Sequence, residues 1–185
     1  MASLKNIKLK ILSYKKTGTV THAMEAVSAV KMRKAQERAL GGRAYAAAAL
    51  SVLERLSGTR DIGHHPLMMP QEGKTCFVII TSDKGLAGSL NSAVIRRTEH
   101  EIAQRGLAHE DVIIIAIGRR GADHFAARGY DVRSRHENIS DDISESEIRQ
   151  ITNTLITWHG AGEIGSCFVA YTNFISTFEQ EAVAR

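Results

Sequence analysis

Residues 79–91 read Ile79-Ile80-Thr81-Ser82-Asp83-Lys84-Gly85-Leu86-Ala87-Gly88-Ser89-Leu90-Asn91. An apolar run ends here in a turn that contains two glycines, and a polar residue suited to the start of a helix follows. This order predicts a strand, a tight loop and the N-terminus of a helix. The geometry alone suggests phosphate binding, because the free N–H groups at a helix N-terminus attract anions.

The nucleotide-binding signatures are incomplete in this loop. The Walker A sequence Gly-x-x-x-x-Gly-Lys is absent, and Gly85 and Gly88 form only a Gly-x-x-Gly pattern. No acidic residue follows the next predicted strand, where a ribose partner would stand; Gly118-Arg119-Arg120 occupies that place. Three interpretations therefore stay open: nucleotide binding, a purely structural turn with Asn91 as helix cap, and a loop that contacts a partner protein.

Catalytic and metal-binding patterns are weak throughout the chain. Asp83 stands where a phosphoacceptor or metal ligand lies in open α/β sheets, but the paired carboxylates Asp141 and Asp142 are typical of a helix N-terminus. The histidines have no metal-ligand spacing; His64 and His65 lie in a proline-containing segment, and His22 lies in a basic one. We predict no catalytic residue, no metal site and no cofactor.

The segment after residue 74 alternates between strand and helix patterns. Strands are predicted at 75–81, 111–117, 130–133 and 166–175, with helices from 91 to about 105, from 118 to about 129 and from 144 to about 158. The runs 78–80 and 112–117 are continuously apolar, as in strands covered on both faces. The fold class predicted is α/β with a mainly parallel open sheet.

A single long helix is predicted from Ser3 to about Leu56, where no proline occurs. Leu4, Ile7, Ile11 and Tyr14 follow the 3-4-3 spacing of one coiled-coil strand. At 1.5 Å per residue such a helix is roughly 80 Å long. The adjacent glycines at 41 and 42 predict a bend or a frayed section.

Charge is distributed unevenly along the 185 residues. The net charge is +4, but residues 1–60 carry twelve basic and three acidic side chains, and the rest of the chain carries twelve basic and seventeen acidic ones. The predicted helix is therefore a cationic rod that favours an acidic protein surface or a polyanion. Nucleic-acid binding is disfavoured because Tyr14 and Tyr45 are the rod's only aromatic residues, so no stacking platform exists.

Compartment and redox state follow from what the sequence contains. The sequence contains no run of about 18 apolar residues, so no membrane span is predicted. The N-terminus has no signal-like apolar run. These features predict a cytoplasmic protein of bacterial type. Cys76 and Cys167 lie in apolar strand-like runs, which predicts two buried free thiols in a reducing compartment.

Four segments together resemble the gamma subunit of F-type ATP synthases. They are the start Leu4-Lys5-Asn6-Ile7, Met24-Glu25 with residues 31–38 (KMRKAQER), residues 80–91 around the glycine loop, and Tyr171-Thr172-Asn173-Phe174-Ile175-Ser176. The resemblance covers the length of the chain.

The resemblance implies a fold and a division of the chain. Residues 1–57 form a long basic shaft helix, residues 58–74 a linker and residues 75–185 a Rossmann-like α/β base domain. In that family the shaft helix pairs with a C-terminal helix in an antiparallel coiled coil inside the hexamer of alpha and beta subunits. The family continues for roughly a hundred residues beyond the strand that ends near residue 175, so this chain is expected to lack the C-terminal shaft helix.

The resemblance also implies a function and its partners. A central-stalk subunit transmits rotation between the c-ring, driven by protons or sodium ions, and the catalytic alpha/beta hexamer during ATP synthesis or hydrolysis, and has no active site itself. Alpha, beta and epsilon subunits and the c-ring are the partners implied, with no nucleic acid. Membrane association is through the complex alone, at the cytoplasmic face of the bacterial plasma membrane.

The resemblance assigns partner-binding residues to two segments. Met24, Lys31, Arg33 and Lys34 match shaft positions that face the lower collar of the hexamer, and Gly85, Leu86, Gly88 and Asn91 match the loop near the beta subunits' acidic lever loops. Two alternatives remain: a free-standing α/β ligand-binding domain with a basic helical arm, and a nucleic-acid-binding module that uses the basic rod.

Overall fold

The computed structural model of the chain describes residues 3–57, 65–69, 71–138 and 143–185. The chain divides into two compact units, Met1–Glu54 and Arg55–Arg185. In chain order the helices and strands are α1 (Leu4–Ser57), a short 3-10 turn (Pro66–Met68), β1 (Lys74–Ile80), α2 (Leu90–Gln104), a second 3-10 turn (His109–Asp111), β2 (Val112–Ile117), α3 (Arg119–Ala127), β3 (Asp131–His136), α4 (Glu145–Gly160), β4 (Ile164–Phe174) and β5 (Gln180–Ala184).

Helix α1 is one uninterrupted helix of 54 residues, which confirms the long N-terminal helix. It continues through Gly41 and Gly42, so the frayed section predicted at this glycine pair is wrong. Alanine and long unbranched side chains dominate the flanking sequence, and their helix propensity offsets the cost of about 1 kcal/mol for each glycine. The apolar stripe faces solvent along the chain; Leu4 and Met24, for example, are 71% and 61% exposed.

Within residues 71–138 and 143–185 the strands form one sheet in the order β3-β2-β1-β4-β5. β1 pairs in parallel with both β2 and β4, and β2 pairs in parallel with β3. The predicted α/β class with a mainly parallel open sheet is thus confirmed. The order reverses at β1, because the chain moves to one side of it for β2 and β3 and then crosses to the other side for β4.

Strand β5 was not predicted, and it pairs antiparallel with β4. Only Val183 in it is a strong strand former, which makes its sequence signal weak. The turn before it is closed locally, since the Ser176 hydroxyl accepts hydrogen bonds from the N–H groups of Phe178 (3.2 Å) and Glu179 (3.1 Å). A serine-based turn of this kind is a weaker sequence signal than glycine or proline.

Two apolar layers cover the sheet. On one face, α2 and α3 pack Val94, Ile102 and Phe125 against Phe77 and Ile114. On the other face, α4 packs against a cluster of buried residues that comprises Cys76, Val78, Ile113, Ile115, Ile151 and Ile164. The central strands β1 and β2 are covered on both sides, as their continuous apolar runs predict.

The two cysteines differ in burial. Both are free thiols; Cys76 is buried and Cys167 is exposed. The expectation that both are buried is therefore wrong for Cys167. Val169, two residues later on the same face of β4, is also 37% exposed, so this stretch of the strand is open to solvent although Ile164 at its start is buried under α4.

Helix α4 begins with a capping box. The Ser144 hydroxyl accepts from the N–H of Glu147 (3.2 Å), and the Glu147 carboxylate accepts from the N–H of Ser144 (2.9 Å). The hydrogen bonds from the Ser144 backbone and hydroxyl lower the pKa of the Glu147 carboxyl below its ordinary value. Asp141 and Asp142, expected at this helix start, lie outside the described residues, as do His64 and Pro70 of the predicted linker.

The conformation of Gly118, between β2 and α3, allows a test of the fold. Its φ of +94° lies in the region that favours glycine, and a Cβ there would collide with the carbonyl of Thr81. Gly129 also has a positive φ (+82°), but a Cβ there meets nothing within 4 Å. We expect Gly118→Ala to lower the free energy of unfolding by about 3 kcal/mol and Gly129→Ala by about 1 kcal/mol.

Urea unfolding followed by the fluorescence of Trp158, the single tryptophan of the chain, measures both losses. Equal losses in the two variants would show that the contact with Thr81 is unimportant.

Candidate partner-contact surfaces

The expected partner-binding residues lie in both compact units and define two surfaces. The shaft surface comprises Met24, Lys31, Arg33 and Lys34 on α1. The loop surface comprises Gly85, Leu86 and Gly88 between β1 and α2, with Asn91 in the first turn of α2. Each surface is described within its own unit.

On the shaft surface all four side chains are exposed. At about 100° per residue, Met24, Lys31 and Lys34 lie on one side of the helix, and Arg33 lies roughly opposite Met24. The Arg33 guanidinium is bonded to the Glu37 carboxylate four residues later, at 3.0 Å. Such an exposed pair stabilises a helix by about 0.5 kcal/mol and leaves the guanidinium open to a second acidic partner.

The loop surface is held by Asn91. Its side-chain oxygen accepts from the N–H of Ser82 (2.8 Å), and its amide donates to the Ser82 hydroxyl (2.9 Å). That hydroxyl donates in turn to the carbonyl of Lys84 (2.6 Å). Asn91 is therefore not the helix cap expected in the structural interpretation; Ser89 takes that position, without a side-chain cap, and Asn91 fastens the strand end to the helix start.

The loop is also bonded to the turn between β2 and α3. The Thr81 hydroxyl accepts from the N–H of Gly121 (2.9 Å), and the Asp83 carboxylate accepts from the N–H of Arg119 (3.0 Å). Asp83 thus satisfies a free donor at the start of α3, as a capping residue does. The group considered as a phosphoacceptor or metal ligand is engaged in holding the fold.

Leu86 projects at the tip of the loop. It is fully exposed and adopts a left-handed backbone with φ of 59°, and Gly88 follows with φ of 57°. A leucine in this conformation costs about 1 kcal/mol, and its exposure buries no apolar area in return. Leu86 is thus an apolar side chain that a hydrogen-bonded loop holds in solvent.

A cleft of about 540 Å³ lies beside the loop, between the first turns of α2 and the length of α3. Gly85 lies under the Arg120 guanidinium: a Cβ built on it would come within 2.6 Å of Nη2. His124 on α3 and Arg128, directly after its end, both bond Glu99, at 2.9 and 3.3 Å. Sequence reasoning missed Arg120 as a neighbour of the loop. The signal was present, because the carboxyl ends of adjacent parallel strands meet at one sheet edge.

The described residues support no metal centre or membrane span. Across residues 3–57, 65–69, 71–138 and 143–185, no three histidine, cysteine or acidic side chains are grouped so as to hold a metal ion. No helix in these ranges combines the length and the apolar character that crossing a membrane needs.

A family model and known proteins match this chain over nearly its whole length. A family model described as ATP synthase matches residues 3–185. The ATP synthase gamma chain of Pelotomaculum thermopropionicum is 35% identical over 184 residues, covering 99% of this chain and 64% of the relative. The gamma chain of Geotalea daltonii is 35% identical over 182 residues, covering 98% and 63%. This chain therefore spans just under two thirds of the length of these relatives.

Solved structures agree on the fold. A chain in the cryo-EM structure of the Tetrahymena thermophila mitochondrial ATP synthase central stalk and c-ring superposes with a TM-score of 0.70 at 23% sequence identity. The match covers 90% of this chain and 70% of that one. A chain in the rotor of the Euglena gracilis mitochondrial ATP synthase gives a TM-score of 0.55 at 13% identity, covering 96% and 60%.

The role of Asn91 gives a test of the loop surface. Asn91→Ala leaves the N–H of Ser82 without its acceptor, which we expect to cost about 1–2 kcal/mol of unfolding free energy. Amide hydrogen exchange over residues 82–88 should become faster as the loop loosens. The matched control is Ser92→Ala on the exposed side of the same helix turn, where the loss should stay under about 0.5 kcal/mol. Unchanged exchange in Asn91→Ala would show that the other loop contacts suffice.

Proposed function

The chain belongs to the ATP synthase family of gamma chains, and we propose that it is the central-stalk subunit of a proton- or sodium-translocating F-type ATP synthase. The observation that carries the proposal is the family match over residues 3–185, which includes both the long basic helix and the α/β domain. In this function the chain transmits rotation between a membrane c-ring and a catalytic alpha/beta hexamer and has no active site of its own. A free-standing ligand-binding domain is not favoured, because the match extends over the helix as well.

The two parts of the chain then have different tasks. Residues 1–57 act as the shaft within the hexamer, residues 58–74 as a linker, and residues 75–185 as the base domain near the c-ring and the epsilon subunit. The complex holds the chain at the membrane surface as a peripheral subunit, on the cytoplasmic face in a bacterium.

The shaft surface is proposed to contact the lower collar of the hexamer. Lys31 and Lys34 present positive charge on the side of α1 that also carries Met24, and Arg33 presents it on the opposite side. Positive charge around the circumference suits a shaft that turns inside a collar with acidic loops, since no orientation loses all attraction.

The loop surface is proposed to contact the acidic lever loops of the beta subunits. Leu86 supplies an exposed apolar contact, and Arg120 places a cation beside Gly85. The hydrogen bonds of Asn91 and Asp83 hold the loop in place, so a push on Leu86 is transmitted to the sheet edge and is not absorbed by loop motion.

Charge reversal tests the shaft surface. The tagged full chain is co-expressed with alpha, beta and epsilon subunits of the same source, and the complex is purified and assayed for ATP hydrolysis. We expect the wild-type chain to bring down alpha and beta subunits. The variant Lys31→Glu, Arg33→Glu, Lys34→Glu should bind the hexamer roughly tenfold more weakly, as the loss of three solvent-screened charge pairs implies.

The control reverses three lysines on the same helix, as Lys5→Glu, Lys8→Glu, Lys10→Glu, and so changes the net charge equally. An equal loss of binding in the control would show that the shaft surface contributes only nonspecific electrostatic attraction. Failure of the wild-type chain to co-purify would contradict the central-stalk proposal itself.

A second pair of variants tests the loop surface. Leu86→Asp should weaken binding to the alpha/beta hexamer several-fold, because it replaces an apolar contact by a charge of the same sign as the lever loops. Phe178→Asp, at the equally exposed β4–β5 turn, is the matched control and should leave hexamer binding unchanged. Both side chains are fully exposed, so neither variant should lower the unfolding free energy by more than about 0.5 kcal/mol. A weaker complex with Phe178→Asp alone would place the contact at the other turn.

A further inference from the structure

Two thiols meet in the middle of the sheet. Cys76 on β1 and Cys167 on β4 are register partners in adjacent parallel strands, so both side chains lie on the same face. Neighbouring strands are about 4.8 Å apart, within the Cα separation of about 4.4–6.8 Å that disulfides bridge. The chain contains no other cysteine.

The two thiols differ in access to solvent. Cys76 is completely buried in the cluster under α4, whereas Cys167 is exposed on the same face of the sheet. The two thiols influence each other's protonation. The neighbouring Cys76 thiol lowers the pKa of the Cys167 thiol, and Cys167 together with burial raises the pKa of the Cys76 thiol above its ordinary value. A solvent reagent therefore reaches the Cys167 sulfur first and finds the Cys76 thiol on the adjacent strand beside it.

We propose that Cys167 is a peroxide-reactive modification site and that Cys76 resolves its oxidised form as an intramolecular disulfide between β4 and β1. In the first step the Cys167 sulfur attacks a hydroperoxide oxygen, the O–O bond breaks, and a sulfenic acid and one water (or alcohol) form. In the second step the Cys76 sulfur attacks the Cys167 sulfur, the S–O bond breaks, and the departing hydroxide takes the Cys76 proton as a second water. The two thiols lose two electrons, which reduce the peroxide.

The position of the pair makes the disulfide readily reversible. Side chains on adjacent parallel strands stand side by side, so closure of the bond requires the Cβ atoms to approach to about 3.8 Å against the spacing of the sheet. A disulfide held under such strain is more easily reduced than a structural one. A dithiol reduces this disulfide to the two free thiols by exchange and is itself oxidised to a disulfide.

The test uses the purified, fully reduced chain and hydrogen peroxide. After treatment, accessible thiols are alkylated in denaturant with iodoacetamide, and intact mass and peptide mass spectrometry are recorded. We expect the wild-type chain to lose about 2 Da, to take up no alkyl group at either cysteine and to regain both thiols with dithiothreitol. In native conditions without peroxide, Cys167 should alkylate at least about tenfold faster than Cys76.

Variants separate the two roles. Cys76→Ala keeps an apolar side chain in the core and should leave Cys167 as a sulfenic acid that dimedone traps; Cys167→Ser should leave Cys76 unoxidised and fully alkylated after unfolding. Trp158 fluorescence checks that each variant is folded.

Three results would overturn the proposal: oxidation of Cys167 beyond sulfenic acid with Cys76 still free, a disulfide between two chains, or a wild-type chain as resistant to peroxide as Cys167→Ser. The wild-type result decides the matter even if a variant fails to fold, because the peptides identify which sulfurs are joined.

Discussion

The close approach of two strand ends is the constraint on which the α/β domain depends. β1 and β2 run in parallel register as far as Ile80 and Ile117. The residues that follow, Thr81 and Gly118, lie side by side, and the chain must leave the sheet at both positions. Gly118 makes this possible because it has no Cβ where the Thr81 carbonyl lies, and its positive φ directs the chain into α3. The N–H of Thr81 then bonds the carbonyl of Ile117 at 2.8 Å, extending the ladder past the strand ends. The loop after β1 is therefore fixed by β2, a neighbour 36 residues away in sequence.

This fixation explains why a loop of the phosphate-binding kind is suited here to protein contact. Several N–H groups at this sheet edge are used internally: Ser82 donates to Asn91, Arg119 to Asp83, and Gly121 to the Thr81 hydroxyl. Polar satisfaction within the fold leaves an apolar tip as the most accessible group, with Leu86 fully exposed. The same strand–loop–helix geometry that elsewhere holds a nucleotide here presents a rigid apolar projection.

Local patterns predicted the parts of the fold that depend on local physics. The apolar runs of β1 and β2 and the proline-free, alanine-rich α1 carry their structure in their own sequence. Three features could not be read in this way. Asn91 looks like a cap in isolation and is an anchor only because Ser82 returns beside it. The exposure of Cys167 depends on which parts of β4 the rest of the fold covers, and β5 forms because β4 offers it an edge. Each of these depends on contacts distant in sequence, which a single sequence does not encode visibly. The residues of the shaft and loop surfaces were assigned by resemblance, and their binding roles remain predictions.

The long helix sets a different physical problem from the α/β domain. A helix of 54 residues pays for nucleation once, and its length and alanine content favour propagation, so it can be helical without a core of its own. Its three glycines each cost about 1 kcal/mol relative to alanine, and side chains such as Leu4 and Met24 are exposed. Burial of the apolar stripe against other protein ends its exposure and offsets the glycine cost, because about 25 cal/mol is gained for each Å² of apolar surface buried. The stability of α1 and its binding to a surrounding assembly are then one equilibrium. A shaft built in this way is strengthened by the same contacts through which it would transmit torque.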